Sequence, residues 1–292
     1  MKVIVAEQIG FCFGVKRAIN LAKKVLSERG EVCILGDLVH NRRVSRELEQ
    51  MGLRKVSNLS ECSSGIMLVR AHGLPAAEIE RARAAGLEVI DATCPTVRQA
   101  QRAARRLEER GCQVVIAGDA DHPEVRGILG SLRDPSAHLV LDSVEEVRQA
   151  HAERRFRRPV GVVFQTTHSF ERCHALVGEL MLVIPELQII NTLCRPVRNR
   201  QLDAIRLATE VEVMLVVGSF KSANSIELTH LLRAHNPNTI QVENADQLEL
   251  ARFAGVKSVG IASGLSTPED VVDAVRARLE AAFPEPDSSP AL

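Results

Sequence analysis

Residues 91–124 read DATCPTVRQAQRAARRLEERGCQVVIAGDADHPE. The apolar run LEVI leads toward Cys94, a helix-like segment follows, and a second apolar run, VVIAG, delivers Asp119, His122 and Glu124. Taken alone this is a strand, a turn bearing a thiol, a helix, a strand and a polar turn. The pattern recurs. Near the N-terminus VIVAEQIGFCFGVKRAI leads through Cys12 to VCILGDLVHN, and in the second half LQIINTLCRPVRNRQ leads through Cys194 to MLVVGSFKSANS. Cys12 to Gly36, Cys94 to Gly118 and Cys194 to Gly218 are each 24 residues. Each unit closes on another apolar run ending in a small polar turn: IMLVRAHGLP, VGVVFQTTHS and SVGIASGLSTPE. Gly118 to Thr166 and Gly218 to Ser266 are both 48 residues, whereas Gly36 to His72 is 36, so the first unit is shorter by about one helix.

Repeats of this length are domains rather than solenoid turns. The expected organisation is three α/β units, 1–93, 94–193 and 194–283, with a tail, 284–292, too poor in apolar residues to pack. Near-continuous apolar runs alternating with helices imply parallel sheets covered on both faces. Pro95 and Pro196 sit where a first helical turn tolerates proline, and Gly30, Gly86 and Gly111 read as helix stops. In such sheets ligands bind outside the carboxyl ends of strands, and all nine turns fall there. The expectation is therefore an α/β trefoil: three units related by a pseudo-threefold, with parallel sheets around a central pocket.

The 292 residues are 45% apolar and 25% charged with zero net charge, which gives no bulk electrostatic case for nucleic acid or membrane. Trp and Tyr are absent and Phe numbers 8, too few for base-stacking platforms. No apolar run approaches the roughly 18 residues of a spanning helix. MKVIVAEQ, broken by Glu7, reads as a first strand rather than a leader. Seven cysteines without a CxxC pair suggest a cytoplasmic, reducing setting and no structural disulfide.

Cys33, Cys62, Cys112 and Cys173 fit small apolar core positions. Cys12, Cys94 and Cys194 occupy the same place in each unit, between strand and helix, where helix N–H groups favour a thiolate. Three convergent thiolates would repel unless a metal neutralised them. Thiolates select zinc or iron–sulfur clusters: either a 4Fe–4S cluster with one iron left open, or zinc with three thiolates and a water. His40, His72 and His122 stand at equivalent strand ends beside Thr166, Ser222, Asn224 and Ser266. Imidazoles, hydroxyls and an amide next to helix N-termini make an anion cradle. Neither a Walker A loop nor GxGxxG is present, so a nucleotide is not indicated. Glu124 is either a proton donor, its pKa raised by its surroundings, or a carboxylate complementing a helix N-terminus.

The blocks GFCFGVKRAI, VHN, AHG, DATCP, HPE, QTT, NRQ, VVGS and STPE, in this order across nearly the whole chain, resemble the 4-hydroxy-3-methylbut-2-enyl diphosphate reductase family of the methylerythritol phosphate route to isoprenoids. The resemblance implies a 4Fe–4S cluster held by Cys12, Cys94 and Cys194, and reductive dehydroxylation of an allylic alcohol diphosphate to isopentenyl and dimethylallyl diphosphates. By the same resemblance His40, His72, Ser222, Asn224 and Ser266 would hold the diphosphate. His122 and Thr166 would sit by the substrate hydroxyl, Glu124 would supply the proton, and ferredoxin or flavodoxin the electrons. Two positions depart from the family pattern. Val197 stands where a Thr is usual, and Ala223 where a Ser is usual, with Lys221 nearby. These departures motivate one alternative, an iron–sulfur paralogue that acts on or senses another diphosphate; a zinc hydrolase or deaminase, from a different class, is the other, and it has no His-Glu pair with zinc spacing such as HExxH in its favour.

Overall fold

The computed structural model describes residues 1–284; the expected tail, apart from Pro284, lies outside them. The chain forms two compact bodies. One is Phe13–Cys194, and the other combines Met1–Cys12 with the chain from Arg195 onward.

The body Phe13–Cys194 holds two sheets. The order is α1 (Phe13–Arg29), β2 (Val32–Leu35), α2 (Arg42–Gln50), β3 (Leu53–Val56), β4 (Ile66–Val69), α3 (Ala76–Ala84) and β5 (Glu88–Asp91), where β1 (Lys2–Val5) belongs to the other body. The strand order is β3-β2-β4-β5, all parallel. The second sheet follows through α4 (Pro95–Glu109), β6 (Gln113–Ala117), α5 (Pro123–Leu129), β7 (Leu139–Leu141), α6 (Val144–Ala152), β8 (Val160–Phe164), α7 (Phe170–Val183) and β9 (Leu187–Ile189). Its order is β7-β6-β8-β9, again parallel. Successive residues of a strand face opposite sides. Val115 and Ala117 of β6 accordingly pack with Leu176 and Leu180 of α7, while Val114 and Ile116 pack with Leu107 of α4 and Ile128 of α5. Full burial of each such Val, Leu or Ile side chain contributes about 1.5–3 kcal/mol.

The other body holds α8 (Arg195–Glu210), β10 (Val213–Val217), α9 (Ala223–His235), β11 (Thr239–Val242), β12 (Ser258–Ser263) and α10 (Glu269–Ala282). Its sheet runs β1-β12-β10-β11. Residues 2–6, read from the sequence as the opening strand of the first unit, supply β1, which pairs in parallel with β12, Lys2 opposite Ser258 and Val5 opposite Ile261. The reason is visible in the other two sheets: the strand that leads to a cysteine always closes the sheet before it, as β5 does before Cys94 and β9 before Cys194. For Cys12 no sheet precedes it in the chain, and the last sheet takes the strand. All three sheets then share one order.

Two short edge strands, β3 (LRKV) and β11 (TIQV), are not evident from periodicity, because four residues interrupted by Arg54 and Lys55 in one and by Gln241 in the other carry little apolar signal. A disulfide joins Cys33 to Cys62 with Cα atoms 5.6 Å apart, which corrects the expectation of none. Cys33 lies on β2 and Cys62 in the loop before β4. Their sequence separation of 29 gives no hint that β2 and β4 pair side by side and bring the two together. No helix among the described residues is long and apolar enough to cross a membrane.

Candidate active site

Each candidate cysteine directly precedes a helix: Cys12 before α1, Cys94 before α4, Cys194 before α8. Each is fixed by the same backbone bond. Its N–H donates to a carbonyl in the turn after the third strand of its sheet: Cys94 to Ala71 at 2.9 Å, Cys194 to Thr166 at 2.9 Å, and Cys12 to Leu265 at 3.1 Å. The thiol segment and the second polar turn are thereby locked together three times over. None of the three is in a disulfide and each is partly exposed, whereas Cys112 and Cys173 are buried in the core.

In the body Phe13–Cys194, His40, His72 and His122 converge, with one ring nitrogen from each lying within 4.8 Å of the others. His40 and His72 rings are 4.8 Å apart between centroids, and His72 meets His122 edge-on at 5.6 Å. The chain delivers them by equivalent routes. His40 and His122 each stand four residues after the glycine that ends a strand, and Asn41 and His122 cap the helices that follow. Burial holds all three imidazoles below their ordinary pKa. His72, desolvated and beside His40 and His122, is held well below it, and His122 is pushed down to about 4. The cluster is therefore neutral near pH 7. His122 Nδ1 accepts the Glu124 N–H at 3.2 Å, which assigns its proton to Nε2. His72 Nδ1 is buried without a hydrogen-bond partner. An orphaned polar atom of this kind costs free energy until a ligand meets it.

Glu124, at the first turn of α5, is 1% exposed. Its Oε1 accepts the Thr166 N–H at 2.6 Å and its Oε2 accepts Thr166 Oγ1 at 2.9 Å. Burial pushes its pKa up to about 7 against those two bonds, which favour the ionised form. Glu124 therefore exchanges a proton near neutrality. His168, on the turn that follows Thr166, is hydrogen-bonded to Asp142 at 2.8 Å.

In the other body, Ser222 caps α9 by accepting the Ser225 N–H at 3.4 Å, and it stands four residues after Gly218 as His40 stands after Gly36. Asn224 Nδ2 is buried without a partner, and Ser266 is buried in the turn after β12. Gly10, two residues before Cys12, has φ +78°, and a Cβ there would meet the Glu269 side chain at 2.5 Å. Val197 lies buried in the first turn of α8.

Two basic residues gave no functional signal from pattern alone. Arg200, 7% exposed, donates from Nη1 to the carbonyls of Gly10 (2.9 Å), Ser263 (3.3 Å) and Gly264 (3.0 Å), and from Nη2 to that of Ile9 (3.3 Å). It braces the Cys12 loop, and its only sequence cue is its place in the NRQ block. Arg70, directly after β4, donates from Nε to the Gly73 carbonyl at 3.3 Å and acts on all three histidines. A lone arginine ending an apolar run resembles any surface cation, so its place is legible only in the tertiary structure.

Three parallel sheets of one strand order, each offering a cysteine and two polar turns at its carboxyl edge, define a class of α/β proteins built by triplication, and the chain belongs to the LytB protein family, whose pattern matches residues 3–280. It is 40% identical to 4-hydroxy-3-methylbut-2-enyl diphosphate reductase of Geobacter sulfurreducens, over 96% of this chain and 97% of that one. It is 38% identical to the reductase of the same name from Aquifex aeolicus, over 95% and 96%. A solved structure of (E)-4-hydroxy-3-methyl-but-2-enyl diphosphate reductase, the terminal enzyme of the non-mevalonate pathway, is 37% identical, covers 96% of this chain and 100% of that one, and superposes with a TM-score of 0.68. The corresponding reductase structure from Plasmodium falciparum is 25% identical over 96% and 88%, with a TM-score of 0.89.

Proposed function

We propose that this chain reduces (E)-4-hydroxy-3-methylbut-2-enyl diphosphate to isopentenyl and dimethylallyl diphosphates. The observation that carries this reading is the pairing, through His122, of a neutral histidine cluster containing an orphaned nitrogen with a buried carboxyl poised near pH 7. The first suits a diphosphate and the second suits a proton donor. Relatives of the same name along the full length support it.

Three cysteines at equivalent positions, outside any disulfide and partly exposed, are a donor set that fits a 4Fe–4S cluster one thiolate short of complete ligation. Cys12, Cys94 and Cys194 would hold it. When bound, such a cluster supplies two electrons one at a time and a Lewis-acidic iron without a protein ligand.

The remaining chemistry falls to the chain. Replacing the C–O bond by C–H takes two electrons and two protons, one proton leaving with the hydroxyl as water and one entering the allylic carbon framework. Glu124 delivers a proton, since at pH 7 about half its population is protonated by its pKa of about 7. Thr166 holds the carboxyl in one orientation through two bonds. His122 carries its proton on Nε2 and donates to the substrate hydroxyl. His40 and His72, with Ser222, Asn224 and Ser266, bind the diphosphate through neutral donors. A ferredoxin or flavodoxin is the electron donor, and the setting is cytoplasmic.

Complementation of a strain lacking the reductase, together with iron and acid-labile sulfide analysis after anaerobic purification, tests this function. Rescue with about four irons per chain is the expected result. Failure to rescue with an intact cluster would favour a paralogue acting on another diphosphate, and zinc without colour would favour a hydrolase.

A further inference from the structure

We propose that Arg70 is an anion-binding residue of the histidine cluster, supplying the fixed positive charge that favours a diphosphate over a monophosphate. The inference rests on the reading of His40, His72 and His122 as a diphosphate cradle and adds the charge that this cradle lacks. Three imidazoles held neutral by burial offer dipoles and N–H donors but no net charge. A diphosphate at neutral pH brings more than one negative charge and gains most from a cation in a partly desolvated place.

Arg70 is placed to be that cation. Its guanidinium spans the two turns that carry His40 and His72. Nε binds the Gly73 carbonyl at 3.3 Å, and Nη1 lies 2.8 Å from where a Cβ on Gly36 would sit. Gly36, at φ +78°, is the residue that leaves this room. The remaining guanidinium donors have no protein partner among the described residues. The acids around it are engaged elsewhere: Asp37 pairs with Lys55 at 2.7 Å, and Glu78 stands 3.9 Å from Arg81. The neighbouring Arg126 is paired with Asp121 at 2.7 Å. Arg70 is half-buried, yet a guanidinium stays charged under such burial. The result is an unpaired, partly desolvated fork of donors beside three neutral histidines, a combination that suits bidentate binding of a phosphate edge.

The test is calorimetric titration of the anaerobically purified holoenzyme with inorganic diphosphate and with inorganic phosphate, for the parent, R70M, R70K and H72N. R70M is expected to weaken diphosphate about 10–100-fold, the range of a charge-assisted bond. Phosphate should weaken less, so the preference between the two collapses, and R70K should recover part of it. In turnover, KM for the substrate should rise while kcat stays within about twofold, the pattern of lost uniform binding. A purely structural role would instead lower the melting temperature and weaken both anions alike, and that outcome overturns the proposal. So does R70M binding diphosphate as the parent does while H72N does not, which spares the cradle and removes Arg70 from it. If the parent fails to bind diphosphate, or H72N binds it normally, the cradle reading itself falls. R70Q, which keeps a donor for the Gly73 carbonyl but no charge, gives the same reading should R70M fail to fold.

Discussion

Glu124 and Thr166 are joined twice, Thr166 N–H to Oε1 at 2.6 Å and Thr166 Oγ1 to Oε2 at 2.9 Å, in a place where the carboxyl is 1% exposed. A helix-terminal carboxylate serving the helix dipole would be exposed and ionised. This one is buried and only about half ionised at pH 7, because burial outweighs the two bonds and lifts its pKa to about 7. Glu124→Gln keeps the shape and loses the labile proton. Cluster content and substrate affinity should hold while turnover falls about 10²–10⁴-fold. Parental turnover in this variant would reduce Glu124 to a structural group.

The same shift sets two pH dependences. Turnover limited by a protonated Glu124 should decline as pH rises through about 7. Its folded-state pKa lies above the ordinary 4.5, so between these values the native state holds the extra proton and stability falls with rising pH. Denaturant titrations at pH 5 and pH 8 should show this fall, roughly 3 kcal/mol at most, and E124Q should flatten it.

Thr166→Val retains the backbone donor and removes the hydroxyl. One bond favouring the ionised carboxyl is lost, so the pKa of Glu124 should rise and the alkaline limb of the rate profile should move upward by up to about one unit. A profile that stays in place would show that the hydroxyl bond does not tune the acid.

Arg200 is a buried cation that donates to four carbonyls around the Cys12 loop, those of Ile9, Gly10, Ser263 and Gly264. Arg200→Met leaves these acceptors unmet, and loss of hydrogen bonds to a charged group costs about 1.5–3 kcal/mol each. Native-state hydrogen exchange should show amides of residues 9–12 and 263–266 losing protection, with Arg200→Lys intermediate. Unchanged protection would place the bracing of that loop elsewhere.

The cysteines divide into three groups. Serine at Cys12, Cys94 or Cys194 should deplete bound iron and sulfide, whereas serine at Cys112 or Cys173 should not. Cys62→Ser should cost about 3–4 kcal/mol in oxidising buffer, the loop-closure term for a separation of 29 residues, and nothing extra once a reductant has opened the parental bond. Equal costs in both buffers would mean that Cys33 and Cys62 are not joined in solution.

Much of this protein was determined by its sequence alone. The 24-residue spacing of Cys12, Cys94 and Cys194 from their strand-end glycines marks the triplication, because strand, turn and helix lengths are local properties written in apolar periodicity. The residue types at the turns, His40, His72, His122, Thr166, Ser222, Asn224 and Ser266, were legible for the same reason: a turn after a parallel strand is where such a fold presents its chemistry. Pairing is a different matter. That β1 closes the sheet of β12, that β3 and β11 form edges, and that Cys33 meets Cys62 all depend on which distant segments lie side by side, and a short strand carries no mark of its partner. Electrostatics is likewise decided only in three dimensions. Neutral histidines, a carboxyl lifted to about 7 and the arginines at 70 and 200 owe their states to burial and to neighbours far off in the chain, which no spacing encodes.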